Sequence, residues 1–206
     1  MTVPTGASTT ADGSSSRPAR ILTVCTGNVC RSPMAEAWLR AGLANVEVAS
    51  AGTGALVGGP MEPIGAEIVR QLGADASTHR ARQLTGPILE GAGLVLTLSR
   101  THSAEVLELS PGLTRRVFTL REFAALIDDL GVHRLAQLGA SDDPEARLAK
   151  IVDLASLQRT AVRLPADESL DVLDPYRRPQ AVWVSSARQI RPAVLTIVHA
   201  LSAAGL

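Results

Sequence analysis

The stretch "LTVCTGNVCRSPMAE", residues 22–36, decides how the rest of the chain is read. An apolar run ends at Cys25, two turn-forming residues follow at Gly27 and Asn28, and Ser32-Pro33 opens what reads as a helix. Proline is tolerated there because the first amides of a helix have no partner inside it. Gly27 permits a positive φ, and Asn28 is the next residue type most tolerant of one. The amides of Thr26, Gly27, Asn28, Val29 and Cys30 can then point inward together with those of the first helical turn. That arrangement is an anion cradle at the positive end of a helix dipole. Cys25 at its base is expected to ionise below the free thiol value of about 8.5. Arg31 adds a guanidinium fork able to hold two oxygens of a tetrahedral anion. A thiolate beneath a phosphate-shaped nest suits phosphoryl transfer to sulfur, giving a phosphocysteine that water hydrolyses. The plainer reading is a buried strand cysteine and a surface-paired arginine. For a bare Cys-x₅-Arg that reading wins, but here Gly, Asn, Ser and Pro all fit one loop-to-helix turn.

Outward from this stretch, apolar runs alternate with helical patterns. Strands are expected at 20–25, 46–52, 94–98 and 116–120, and helices at 32–43, 62–73 (closed by Gly73), over "RTHSAEVLEL" and from "LREFAALIDDL". Strands spaced by helices predict an α/β fold: a parallel sheet with helices on both faces, its ligands at the carboxyl ends of the strands. Cys25 stands at such an end. Residues 131–169 read as an inserted segment of one or two amphipathic helices with no evident chemistry. Residues 180–203 read as a terminal helix that Pro192 would kink.

Composition narrows the function classes. The chain has 206 residues, zero formal net charge and 46 % hydrophobic residues, so no basic footprint argues for nucleic acid or an anionic membrane. No apolar run approaches the roughly 18 residues of a membrane span. Residues 1–18 are rich in Ser, Thr, Gly, Ala and Pro with no apolar core, which predicts a disordered arm rather than a secretory signal, followed by one domain over 19–206. A cytoplasmic location follows as the expectation. The two cysteines lie too close together to staple a domain of this size and read as reactive or redox-active. Lys150 is the only lysine, an Arg-for-Lys bias that suggests a GC-rich, bacterial coding sequence.

"VCTGNVCRSPMAE" resembles the nucleophile loop of the low-molecular-weight protein-tyrosine phosphatases. The resemblance continues in "SAGTGA" (50–55), "STHRARQLT" (77–85), "LVLTLSRTH" (94–102) and "DPY" (174–176). It implies a four-stranded parallel sheet flanked by helices, here with the 131–169 helical insertion added. It implies Cys25 as nucleophile, Arg31 as phosphate clamp and Ser32 as hydrogen-bond donor to the thiolate. Asn28 would hold the loop's strained shape within a network joined by His79 and Glu36. Cys30 is implied as a redox partner that shields Cys25 through a disulfide; its plainer reading is a small apolar packer. No metal or cofactor is implied. The implied substrate is a phosphotyrosine protein, and among bacterial members a tyrosine kinase of polysaccharide export.

The family's general acid is an aspartate before proline on a loop, and two such pairs exist here. Asp143 in "SDDPEARLAKI" reads as a helix cap. Asp174 in "VLDPYRRPQ" precedes the last helix and is the expected acid, with Tyr176 as a cleft wall. Two departures stand out. Leu56 replaces an aromatic that many relatives stack on the substrate ring, and Arg177-Arg178 make the rim more basic, as an attraction for acidic substrates or simply as solvated arginines. Two other functions compete. Arsenate reduction is disfavoured because the thioredoxin-coupled type needs two further cysteines. A non-catalytic phosphate- or phosphopeptide-binding module is disfavoured by the retention of cysteine, arginine and acid together.

Overall fold

The computed structural model describes residues 18–138, 143–162 and 170–206. The expected arm lies outside these residues apart from Pro18, as do 139–142 and 163–169 of the expected insertion.

Four parallel strands, β1 (Ala19–Cys25), β2 (Val46–Gly52), β3 (Leu94–Thr97) and β4 (Val117–Thr119), form a sheet of order β2-β1-β3-β4. Each strand is buried over most of its length, as a sheet covered on both faces requires. Side chains alternate between two cores. Ala19, Ile21 and Cys25 of β1 and Leu94 and Leu96 of β3 join the larger one, while Leu22, Val24 and Val95 join the smaller. The chain leaves β1 for β2 on one side and later returns to β3 on the other, so the strand order switches at the carboxyl end of β1. Open α/β sheets bind ligands at such a switch.

The larger core is covered by α1 (Arg31–Gly42), α5 (Leu120–Leu130) and α8 (Gln180–Ala203), with α2 (Pro63–Gln71) beside them. The smaller is covered by α3 (Gly86–Glu90) and α4 (Arg100–Leu109). Gly73, at φ +87°, follows α2 as expected. β4 stops at Thr119 because that residue caps α5: its hydroxyl accepts from the Glu122 amide and Glu122 reaches back to the Thr119 amide. Pro192 lies inside α8 on its exposed side, and the helix continues past it as one element.

The inserted segment contributes α6 (Val132–Ala136) and α7 (Pro144–Gln158), with Asp143 capping α7 through the Glu145 amide. Leu148, Ile151, Val152 and Ala155 of α7 are buried in the larger core, each fully buried aliphatic side chain contributing about 1.5–3 kcal/mol. At the far end of α7, Arg159 pairs with Glu122 (2.8 Å), stacks 3.9 Å from the Phe118 ring centroid and donates to the carbonyls of Thr114 and Val117. The insertion is therefore a fourth helical cover on the sheet, clamped to the junction of β4 and α5.

Candidate active site

The loop between β1 and α1 is held open by its own carbonyls. Cys25 O accepts from the Thr53 amide, Thr26 O from Gly54 and Gly27 O from Leu56, each at 3.0 Å. Asn28 O accepts from His79 Nε2 at 2.7 Å, Val29 O from Glu62 at 2.9 Å and Cys30 O from Met34 at 3.3 Å. With six successive carbonyls tied from outside, the amides of residues 26–31 have no acceptor among the described residues. Helix α1 offers none either: its N-cap Cys30 makes no side-chain cap bond, and its first turn carries no acid but begins with buried Arg31. Unpaired amides and a buried cation at the positive end of a helix dipole leave positive charge that an anion neutralises.

Asn28 sets the loop's shape. Of the two residues able to take a positive φ here, Asn28 does, at +54°, and Gly27 does not. Asn28 tolerates this because both polar atoms of its side chain are engaged. Nδ2 donates to Ser32 Oγ (3.0 Å) and Ser50 Oγ (2.7 Å), and Oδ1 accepts from the Arg82 amide (2.9 Å). Ser50 in turn donates to Glu36 Oε2 at 2.6 Å, and His79 Nδ1 lies 3.5 Å from that oxygen. Burial pushes the Glu36 carboxyl up, but the bonds from His79 and Ser50 outweigh it and hold it below the usual carboxylate range. The glycine that close approach demands is Gly52, where a Cβ would stand 2.3 Å from Thr26 O.

At the floor, Cys25 Sγ lies 2.9 Å from Ser32 Oγ. Since Asn28 already donates to that hydroxyl, its proton is free to be given to sulfur. Cys25 is 2 % exposed and shares the larger core, yet it also lines a cleft of about 190 Å³ with Arg31, Val29, Leu56, Asp174 and Tyr176. Arg31 reaches across this cleft to the loop after residue 170. Nη1 donates to Val172 O (3.2 Å), Nη2 pairs with Asp174 Oδ2 (2.8 Å), and buried Nε has no partner among the described residues. Asp174 Oδ1 also accepts from the Tyr176 amide at 3.2 Å. Cys30 is buried as a free thiol; burial pushes its ionisation upward, Cys25, Asp174 and Glu62 add to this, and Arg31 opposes it.

All the residues singled out in the sequence thus lie in one region. Cys25, Thr26, Gly27, Val29, Cys30, Arg31, Asp174, Tyr176 and Leu56 line the cleft, with Ser32, Asn28, His79 and Glu36 behind it. Leu56 is 47 % exposed at the mouth, and Arg177 lies 5.1 Å over the Tyr176 ring from a left-handed backbone (φ +57°). Asp143 stays with α7 as its cap. Sequence reasoning missed Ser50 and Arg82, which link the loop to β2, the Val172 carbonyl, and His102, which touches Thr26. The spacing of Ser99 and His102 in "SRTH" is the signal for the last: a cap residue followed by a buried first-turn histidine.

Comparison with known proteins bears on this arrangement. Residues 20–135 match the family described as low molecular weight phosphotyrosine protein phosphatase. A probable low molecular weight protein-tyrosine-phosphatase EpsP of Ralstonia solanacearum is 42 % identical over 133 residues, covering 65 % of this chain and 90 % of that one. The protein-tyrosine-phosphatase Wzb of Salmonella typhi is 38 % identical over 98 residues, 48 % of this chain and 66 % of its own. Among solved structures, the YwlE arginine phosphatase of Geobacillus stearothermophilus superposes with a TM-score of 0.65 at 26 % identity, covering 90 % of this chain and 94 % of that one. Among the described residues no helix is long and apolar enough to cross a membrane.

Proposed function

The chain belongs to the low molecular weight phosphotyrosine protein phosphatase family, and we propose that it hydrolyses phosphotyrosine in proteins through a phosphocysteine on Cys25. The observation that carries this reading is the ring of unpaired amides over Cys25, kept open by six engaged carbonyls and closed on one side by Arg31. A phosphoryl dianion supplies the acceptors those donors and the orphaned Arg31 Nε lack.

The substrate's phosphoryl group displaces Asp174 from Arg31 and settles in the loop. Cys25 Sγ attacks phosphorus in line, the sulfur–phosphorus bond forms and the ester P–O bond breaks. Asp174, which takes a proton from solvent once the dianion has displaced it from Arg31, gives that proton to the departing phenoxide. Water then attacks the phosphocysteine, Asp174 takes the water's proton, and sulfur leaves as a thiolate that the Ser32 hydroxyl receives. Nucleophile, clamp and acid all come from the chain itself, so turnover of p-nitrophenyl phosphate is expected to persist in chelator. Leu56, Val29 and Tyr176 supply apolar walls suited to an aryl group, and exposed Arg177 and Arg178 favour acidic sequence around it. Residues 19–206 act in this reading as one phosphatase domain carrying the helical insertion. A cysteine nucleophile must stay reduced to act, which suits a cytoplasmic enzyme, with a tyrosine kinase as the source of its substrate.

The test is hydrolysis of matched phosphotyrosine and phosphoarginine peptides, the latter chosen because of the arginine phosphatase among the structural relatives. Turnover of the phosphotyrosine peptide, abolished by Cys25→Ser, supports the reading; preference for phosphoarginine, or activity in Cys25→Ser, overturns it.

A further inference from the structure

His102 is the one histidine touching the site that the reaction above leaves unused. It sits in the first turn of α4, just past the carboxyl end of β3, and is 3 % exposed. Its Nε2 lies 2.9 Å from Thr26 Oγ1 and its Nδ1 lies 2.9 Å from Ser99 Oγ. Thr26 follows the nucleophile directly and lines the cleft, whereas Ser99 is buried behind the ring as the cap of α4.

The protons along this chain can be assigned from who needs a partner. Ser99 Oγ already accepts from the His102 amide at 3.3 Å. Its own hydroxyl proton has Nδ1 as the acceptor in reach, and a buried hydroxyl proton without an acceptor is costly. Ser99 therefore donates to Nδ1, which places the ring's hydrogen on Nε2, and Nε2–H donates to Thr26 Oγ1. With that oxygen accepting from behind, the hydroxyl proton of Thr26 turns away from the histidine, into the cleft. The opposite assignment would spend the Thr26 proton on His102 and leave the buried Ser99 proton with nothing. A neutral ring is needed throughout; burial first, then Arg31, pushes its ionisation down to about 4.

We infer that His102 is a positioning residue: the chain Ser99–His102–Thr26 aims the Thr26 hydroxyl at the bound phosphoryl group as a side-chain donor beyond the loop amides. This rests on the phosphatase reading, from which it differs in its consequences. A donor aimed at charge that grows in the transition state lowers kcat more than it raises KM when lost.

The experiment is steady-state kinetics with p-nitrophenyl phosphate and inhibition by vanadate for Thr26→Val, His102→Ala and the double variant, with Thr26→Ser and His102→Gln as rescues. Thr26→Val and His102→Ala should each lower kcat about tenfold with KM little changed, and weaken vanadate by a similar factor. The double variant should be no slower than either single one, since both remove the same bond. Thr26→Ser restores the donor, and His102→Gln restores most of it through its amide nitrogen. Thr26 is exposed, so Thr26→Val tests the idea even where His102→Ala folds poorly. Wild-type kcat in Thr26→Val, or additive losses in the double variant, would overturn the relay. An inactive wild-type protein, or an active Cys25→Ser, would instead overturn the phosphatase reading on which it stands.

Discussion

Replacing Asp174 by asparagine separates two roles of one carboxylate, and they change the enzyme in opposite directions. Asp174 Oδ2 lies 2.8 Å from Arg31 Nη2, although the aspartate side chain is 54 % exposed and the arginine only 8 %. An incoming dianion must displace that carboxylate and then remain near it. Because Asp174 is half in water, a screened dielectric applies, and a repulsion of about 1 kcal/mol per unit charge pair at about 4 Å is the right scale. The Asp174→Asn change removes it, and inorganic phosphate or vanadate should bind roughly tenfold tighter, about 1–2 kcal/mol. Turnover falls at the same time. With phosphotyrosine, whose phenol has a pKa of about 10, loss of the proton donor should lower kcat by about a hundredfold or more. With p-nitrophenyl phosphate, a far better leaving group, the loss should be smaller, about tenfold. The assay is kcat for a series of aryl phosphates plotted against leaving-group pKa, with phosphate affinity measured by calorimetry on the same variant. A plot no steeper than that of the wild type, together with unchanged phosphate affinity, would refute both the acid and the ion-pair argument.

Asn28→Ala removes three hydrogen bonds, two of them buried, and leaves a residue with a Cβ at φ +54°, a conformation costing about 1–2 kcal/mol on its own. Its kcat/KM should fall at least tenfold and its melting temperature should drop, checked by kinetics and calorimetry on one preparation. Cys30→Ser should lose activity permanently after brief peroxide exposure, whereas the wild type recovers with thiol: oxidised Cys25 as sulfenic acid condenses with the Cys30 thiol, releasing water and forming a reducible disulfide. Equal recovery of the two would speak against that protection. Stability should depend on pH through His102, which faces Arg31, Glu105, Asp174 and Asp171. Between about pH 6.5 and about 4 the unfolded chain takes a proton on this ring and the native chain does not. Stability therefore falls as pH falls, by about 3 kcal/mol across that window, and urea melts of His102→Gln should lack this component of the slope.

Much of the fold was legible because its strands are covered on both sides and read as continuous apolar runs, and because Gly73 marks the end of a helix where the chain puts it. The loop was legible for a similar local reason: Gly, Asn, Ser and Pro fit one turn. What local reading could not settle was which residue takes the left-handed conformation. That is decided by Asn28's partners Ser50 and Arg82, which are distant in sequence and converge only once β2 pairs with β1. The Ser99–His102–Thr26 chain escaped for the same reason, since β3 must lie beside β1 before α4 meets the loop. The amphipathic character of 131–169 was visible, but its place on the sheet was not. Arg159 finds Glu122 and Phe118 only in the folded chain.

The claim on which everything turns is that Cys25 sulfur takes the phosphoryl group from the substrate. Rapid mixing of Asp174→Asn protein with p-nitrophenyl phosphate, followed by alkaline denaturing quench and mass spectrometry of the Cys25 peptide, tests it directly. The expected result is a peptide heavier by one phosphoryl group, located on Cys25 rather than Cys30 and absent from Cys25→Ser. Release of p-nitrophenol with that peptide unmodified at every time point would contradict it.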